Sequence, residues 1–213
     1  MIINYIIILC IGYLLGCSNL AFFLGKAKGF DIREYGSNNA GASNATITMG
    51  AKIGFIVGWH DVLKSTLAVL IVSYLFPLIP GAGAIAGAMA VFGHIFPFYL
   101  KFKGGKGFAS FMGMILGLDW KFFLALVVIV LLVTFITDYI VIGTFTSILS
   151  FPIYAFIMSM HPHAIIAIIM ASLLIFIKHF INIKRLFTGE EIGLRRALSK
   201  KDKVENQEET IDD

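Results

Sequence analysis

The stretch "GHIFPFYLKFKGGKGFAS", Gly93 to Ser110, decides the fold. It leaves an apolar run and places Lys101, Lys103 and Lys106 around the Gly104–Gly105 pair, with Gly107 behind them. At Phe108 it turns apolar again. A brief cluster of cations between two apolar runs reads as a membrane helix, a basic loop and a second membrane segment. The rest of the chain agrees. It is 58% hydrophobic, against roughly 45–50% in soluble domains. It has 20 Phe, only 14% charged residues and a mean hydropathy of +0.88. The fold class expected is an all-α integral membrane bundle of about seven transmembrane helices, some short or re-entrant. Little chain is left for a separate soluble domain.

Working outward, the apolar runs are Ile2–Leu24, Ile53–Phe76, Ala84–Leu100, Phe108–Leu118, Phe122–Ile136, Tyr139–Met160 and Ala164–Ile177. A helical crossing needs about 20 apolar residues. The fourth run is too short to cross alone and the fifth is marginal; short runs are tolerated at membrane depth where protein covers them. Pro77, Pro80, Pro97 and Pro162 mark ends, as their missing N–H requires. The first run has no upstream cationic cluster and no small-residue cleavage site, so it reads as a retained helix. Cys10 and Cys17 both lie inside it, seven residues apart, too far to bridge each other. There is no internal repeat and no metal-ligand spacing.

Basic residues set the expected orientation. Of 17 Lys and Arg, Lys64 lies within a span and only Lys121 falls on one face, leaving fifteen for the other. That partition predicts an external N-terminus and a cytoplasmic C-terminus. Residues 1–200 read as one transmembrane domain. Residues 201–213 are acidic and poor in apolar groups, and read as a disordered cytoplasmic tail. Four polar segments then meet on the cytoplasmic side: Gly36–Gly50, Lys101–Gly107, the Thr137–Asp138 turn and the chain after Ile177.

Each segment has its own chemistry. In "FKGGKGFAS" glycines let the backbone approach a ligand, and successive N–H groups with a following helix N-terminus can receive an anion. Lysines add point charges for phosphate. The Walker A spacing is absent, so nucleotide hydrolysis is unsupported. A basic loop that serves only topology stays open as the alternative. "GSNNAGASNATITMG", Gly36 to Gly50, offers Ser37, Asn38, Asn39, Ser43, Asn44, Thr46 and Thr48, which suit hydroxyls and phosphate oxygens. An ordinary loop with helix caps would also use them. In "KHFINIKRLFTGEE", Lys178 to Glu191, His179, Asn182 and Arg185 fall on roughly one face if the segment is helical. His can move a proton near neutral pH, and Arg can hold a phosphate. A juxtamembrane helix binding anionic headgroups is the alternative there. Asp61 and Lys64, three residues apart within a span, read as an internal ion pair.

Together these segments resemble the bacterial acyl-phosphate:glycerol-3-phosphate acyltransferase family, the PlsY type. Its three motifs resemble G-S-G-N-x-G-A-T-N, G-H-x-F-P-x-x-x-x-F-K-G-G-K-G and H-x-x-N-I-x-R-L-x-x-G-x-E. Here they read "GSNNAGASN", "GHIFPFYLKFKGGKG" and "HFINIKRLFTGEE", in order and over almost the whole chain. The resemblance implies transfer of an acyl group from acyl phosphate to the 1-hydroxyl of glycerol 3-phosphate, giving lysophosphatidic acid and inorganic phosphate. It implies no metal or other cofactor. The partners implied are those two substrates and membrane lipids, with no nucleic acid, in a multi-pass protein of the bacterial cell membrane. By the match, Ser37, Lys106, His179 and Asn182 are catalytic. Asn39, Lys101, Lys103, Gly104, Gly105, Gly107, Thr144, Arg185 and Glu190 bind substrate or phosphate. The thioester-dependent glycerolipid acyltransferases are disfavoured, because no His-x-x-x-x-Asp spacing occurs.

The chain departs from the family at four points. Ile47 stands where the family has Arg, Asn38 where it has Gly, Asp138 where it has a cation and Val141 where it has Ser. Losing an Arg that hydrogen-bonds phosphate costs about 1.5–3 kcal/mol. A different acceptor, a lipid-binding role or transport of a small anion are the competing readings.

Overall fold

A computed structural model describes residues 1–191 and 193–195. The described residues contain helices and no strands. The expected boundary at residue 200 and the acidic segment 201–213 lie outside them.

Among the described residues nine α-helices follow one another: α1 Ile2–Cys17, α2 Leu20–Ala27, α3 Ala42–Met49, α4 Ala51–Leu75, α5 Ala82–Ile95, α6 Phe108–Leu118, α7 Trp120–Thr137, α8 Ile140–Ile157 and α9 Pro162–Phe187. Six of the described segments are long and apolar enough to cross a bilayer: Ile2–Ala27, Ala51–Leu75, Ala82–Leu100, Trp120–Thr137, Ile140–Ile157 and Pro162–Phe187. The fourth expected span, α6, has 11 residues and rises only about 16 Å, half of a hydrocarbon core. The last expected span does not stop at Ile177. It continues as one helix to Phe187, carrying His179, Asn182 and Arg185 with it.

Local chemistry sets the ends. Asp119 caps α7 by accepting from the Lys121 and Phe122 N–H groups. Pro162 occupies the first turn of α9, where a missing N–H is harmless. The expected first span breaks at Ser18–Asn19, where Asn19 leaves helical geometry and its Oδ1 accepts from the Phe22 N–H to start α2. The break frees carbonyls inside the bundle. Tyr99 Oη donates to Cys17 O at 2.7 Å, and Lys64 Nζ donates to Ser18 O at 2.6 Å.

The bundle closes on small residues. Gly12 and Gly16 of α1 lie against Ala86 and Ala90 of α5, and Gly93 of α5 lies against the Tyr13 carbonyl of α1. Added side chains at these glycines would run into backbone, so the two helices touch directly, as membrane helices with small residues at the interface do. Tyr13 Oη ties the same pair by donating to Phe96 O at 3.0 Å. On the other side α6, α7, α8 and α9 share an apolar core around Phe111, Phe151, Ile115, Leu126 and Ile168. The large apolar groups left exposed, such as Leu131, Phe135, Leu149 and Met170, lie on the membrane-spanning helices.

Candidate active site

The first polar segment is organised by a side chain that sequence reasoning left among its neighbours. Asn44, fully buried in α3, donates Nδ2 to the carbonyls of Ile32, Tyr35 and Asn39 at 2.8–3.0 Å. Its Oδ1 accepts the Ser37 N–H at 2.7 Å. These bonds fold residues 35–44 into one tight turn. Within it Asn39 Nδ2 donates to Ser37 Oγ at 2.9 Å, so the two expected polar groups meet. Asn38, which replaces a family glycine, has a left-handed φ of 56°. Asn tolerates that region better than other side chains, so the loop can keep its path.

The lysine–glycine loop lies against this turn. The Ala40 N–H donates to Gly104 O at 3.3 Å, and Ala40 O accepts from Asn19 Nδ2 at 3.0 Å. Arg33, which the motifs did not single out, fastens the outer part of the loop. Its Nη1 donates to Leu100 O at 2.8 Å and Lys103 O at 3.3 Å. Its Nε and Nη2 clasp Asp31 at 3.0 and 2.7 Å. The Arg33 hydrogen bond draws the Asp31 carboxyl down to about 2. Lys101 and Lys103 are exposed. With Asp31, Arg33, Glu34, Asn38 and Gly104 they line a cavity of about 360 Å³. Neither Lys106 nor Asn182 lines that cavity.

The expected anion nest needs one correction. The Gly104 N–H donates to Ile95 O at 3.0 Å and the Gly105 N–H to His94 O at 3.2 Å. These two donors close the C-terminal end of α5 and do not face a ligand. Among the described residues, the N–H groups of Lys106 and Gly107 have no such partner, and α6 begins at once behind them. The donors left for an anion are therefore the N–H groups of Lys106, Gly107 and the first turn of α6. Gly107, with φ 95°, makes the turn that points this helix start.

The third segment reaches the same place. Lys106 Nζ donates to Asn182 Oδ1 at 2.7 Å. Asn182 Nδ2 donates to Glu191 Oε1 at 2.7 Å. The acidic group in this arrangement is Glu191; Glu190 is exposed. The reason is the turn at Gly189, φ 71°, after which Glu190 and Glu191 both return their N–H groups to Arg185 O. Burial pushes the Lys106 ammonium below the usual lysine range; the Glu191 charge opposes this and the Arg185 charge adds to it. His179, one turn before Asn182, is buried, with its ring edge-on to Phe145 at 6.4 Å. Its Nδ1 is 3.0 Å from Ile175 O. A carbonyl can only accept, so Nδ1 carries the proton and Nε2 offers a lone pair.

Two expected positions differ in setting. Thr144 is buried in α8 and gives its hydroxyl to Ile140 O of its own helix at 3.3 Å. Asp138, in place of a cation, anchors the segment after α9. It accepts the Leu194 N–H on its carbonyl and the Arg195 N–H on its carboxylate, at 2.8 and 2.9 Å.

Against known proteins, the family model described as glycerol-3-phosphate acyltransferase matches residues 6–189. Glycerol-3-phosphate acyltransferase 1 of Oceanobacillus iheyensis is 34% identical over 205 residues, covering 92% of this chain and 98% of that protein. The glycerol-3-phosphate acyltransferase of Thermoanaerobacter pseudethanolicus is 41% identical over 187 residues, covering 86% and 92%. A crystal structure of PlsY (YgiH), an integral membrane glycerol 3-phosphate acyltransferase, in its glycerol 3-phosphate form superposes with a TM-score of 0.83. It has 30% identity and covers 89% of this chain and 94% of that one.

Proposed function

The chain belongs to the glycerol-3-phosphate acyltransferase family, and on that premise we propose that it moves a fatty acyl group from acyl phosphate to the 1-hydroxyl of glycerol 3-phosphate. The observation that carries this reading is the convergence of Lys106 on Asn182, one turn from His179, at the start of α6. Both substrates bear phosphate, and a cation beside free N–H groups holds such groups in place.

In the reaction the acceptor oxygen bonds to the acyl carbonyl carbon. The bond from that carbon to the phosphate oxygen breaks, and inorganic phosphate leaves with its electron pair. The acceptor hydroxyl's proton goes to His179 Nε2, the free lone pair of the ring, or to a phosphate oxygen of the substrate. Lys106 and the α6 N–H groups bear the charge on the leaving phosphate and on the carbonyl oxygen. Asn182, held by Glu191, fixes the Lys106 ammonium. Ser37 and Asn39 bond to the acceptor from the first loop. Lys101 and Lys103 face anionic headgroups and incoming substrate across the outer cavity.

The test is turnover by purified protein in lipid with long-chain acyl phosphate and glycerol 3-phosphate. Phosphate release that depends on the acceptor is expected. Release that ignores glycerol 3-phosphate would remove the acceptor from this reading, and no release at all would favour a lipid-binding role. The fifteen-to-one partition of basic residues supports a site on the cytoplasmic face of the bacterial cell membrane. In a background lacking Cys10 and Cys17, exposed Ser159→Cys should label from outside intact cells, and exposed Ser43→Cys only after lysis. The reverse pattern would invert the orientation.

A further inference from the structure

A group of buried charged side chains lies beneath the glycine loop, and the reaction above uses none of them. Asp61 and Lys64 are one turn apart on α4, 2% and 4% exposed, and His94, 2% exposed, is in the last turn of α5. Lys64 Nζ lies 2.7 Å from Asp61 Oδ1, 2.6 Å from Ser18 O and 2.8 Å from His94 Nδ1. An ammonium has three hydrogens and no acceptor, so three acceptors use it fully. His94 Nδ1 is also 3.3 Å from Asp61 Oδ1, but the shorter contact to the ammonium makes it an acceptor. The ring proton is then on Nε2. His60 completes the cluster, with Nδ1 3.5 Å from Asp61 Oδ1 and Nε2 3.0 Å from Ser18 Oγ.

Stability is a poor reason for such a cluster. Desolvating two ions offsets most of their attraction, and well-packed apolar groups often serve as well. Its placement gives a better one. On one side Lys64 holds Ser18 O, and the next residue, Asn19, holds Ala40, whose N–H donates to Gly104 O. On the other side Lys64 holds the His94 ring. That ring fills the space a Cβ on residue 105 would enter, and the His94 carbonyl takes the Gly105 N–H. One ammonium therefore fixes both supports of the Gly104–Gly105 pair, directly before Lys106.

We propose that Asp61, Lys64 and His94 are positioning residues, a unit that sets where the glycine loop carries Lys106 relative to Asn182. None of the three needs to touch substrate. The kinetic consequence rests on the acyl transfer proposed above; the mechanical one does not.

The experiment compares wild type with Lys64→Met and His94→Gln in lipid nanodiscs. Amide exchange over residues 101–108 is read against exchange over α7 and α8. The expected result is exchange at Gly104 and Gly105 at least tenfold faster in both variants, with α7 and α8 unchanged. If Lys64→Met does not fold, His94→Gln, which leaves the ion pair whole, decides by the same comparison. Exchange at Gly104 and Gly105 within twofold of wild type, or a rise spread evenly over the chain, overturns the proposal. Activity gives a second reading. Lys64→Met and Gly105→Ala should each lower kcat/KM, and the double variant should fall within threefold of Gly105→Ala alone, because both act through one loop. Effects that simply multiply overturn it. A wild type inert toward acyl phosphate and glycerol 3-phosphate refutes the proposed function and leaves the exchange result to stand or fall alone.

Discussion

Lys106 donates to Asn182 across 2.7 Å, joining residues 76 apart in sequence, and Asn182 is itself held by Glu191. The contact binds the loop before α6 to the end of α9 and places a cation one turn from His179.

Lys106→Ala is expected to remove most activity, at least a hundredfold in kcat/KM, without unfolding the protein. The Lys106 stem is half-buried beside glycines and supports little core. Burial lowers its pKa, so the ammonium is lost as pH rises through a value below that of an ordinary lysine. The alkaline limb of activity should therefore begin early. Glu191→Gln removes the neighbouring charge that opposes the shift, so the limb should move further toward neutral. Lys106→Arg should move it the other way while retaining partial activity. A limb in the same place in all three proteins would show that Lys106 does not set it.

Arg33→Met should loosen the outer loop. It takes the guanidinium away from Leu100 O, which keeps the Lys103 N–H, and from Asp31, which keeps the residue-33 N–H and the more distant Lys26, a loss of about 1–3 kcal/mol. The pH dependence has a definite sign. The Asp31 pKa is depressed in the folded protein from 3.8 to about 2, so its contribution is present above about pH 4 and disappears as pH falls toward 2. Thermal denaturation of wild type and Arg33→Met at several pH values measures this. The gap between them should be widest above pH 4 and shrink below it.

Gly16→Val should be among the most damaging changes outside the site. A Cβ there meets the Ala90 backbone of α5, which cannot step aside as a side chain would. Overpacking typically costs about 1–3 kcal/mol, and a backbone obstacle puts this position at the upper end or beyond. A melting temperature within 2 degrees (roughly 0.5–1 kcal/mol for a chain of this size) would mean that α1 and α5 do not pack as described.

Ile47→Arg tests the missing cation. Ile47 is 48% exposed on α3, and its side chain lies where a Cβ added at Gly36, at the edge of the first loop, would meet it. With Asn38 preserving the loop's path, an Arg there should lower KM for glycerol 3-phosphate about tenfold, as one charged hydrogen bond would. KM for acyl phosphate should hardly move. If Lys52→Ala raises the acceptor KM and Ile47→Arg does nothing, the cation has been relocated to Lys52.

Much of this was legible in the sequence, for reasons that differ by residue. Apolar runs report spans because lipid demands them, and the polar segments stood out against that background. The break at Ser18–Asn19 was hidden because hydropathy continues through it; the local sign was the Ser18–Asn19 pair, and Asn4 interrupts the same run without breaking the helix. Arg33 carries no motif, and its partners Leu100 and Lys103 are 67 and 70 residues away. The choice of Glu191 over Glu190 depends on the left-handed turn at Gly189, which composition does not reveal. The fate of the Gly104 and Gly105 N–H groups depends on where the end of α5 comes to lie, a long-range fact. Asn44 was visible as a polar residue, but its four bonds were not.

The break in the first helix has a consequence for biogenesis. The partners of its freed carbonyls arrive late: Lys64 follows Ser18 by 46 residues, and Tyr99 follows Cys17 by 82. At ribosomal rates of about 5–20 residues per second, Tyr99 emerges roughly 4–16 seconds after Cys17. Through that interval a bent backbone would leave carbonyls bare in hydrocarbon, at several kcal/mol each. The newly inserted segment is therefore expected to be one straight helix, and the bend to form when α4 and the residues after α5 reach it. A peptide of residues 1–50 in bilayers should show unbroken helix through Ser18. A break already present there would mean that Asn19, whose latest side-chain partner among the described residues is Ala40, bends the chain before Lys64 and Tyr99 exist.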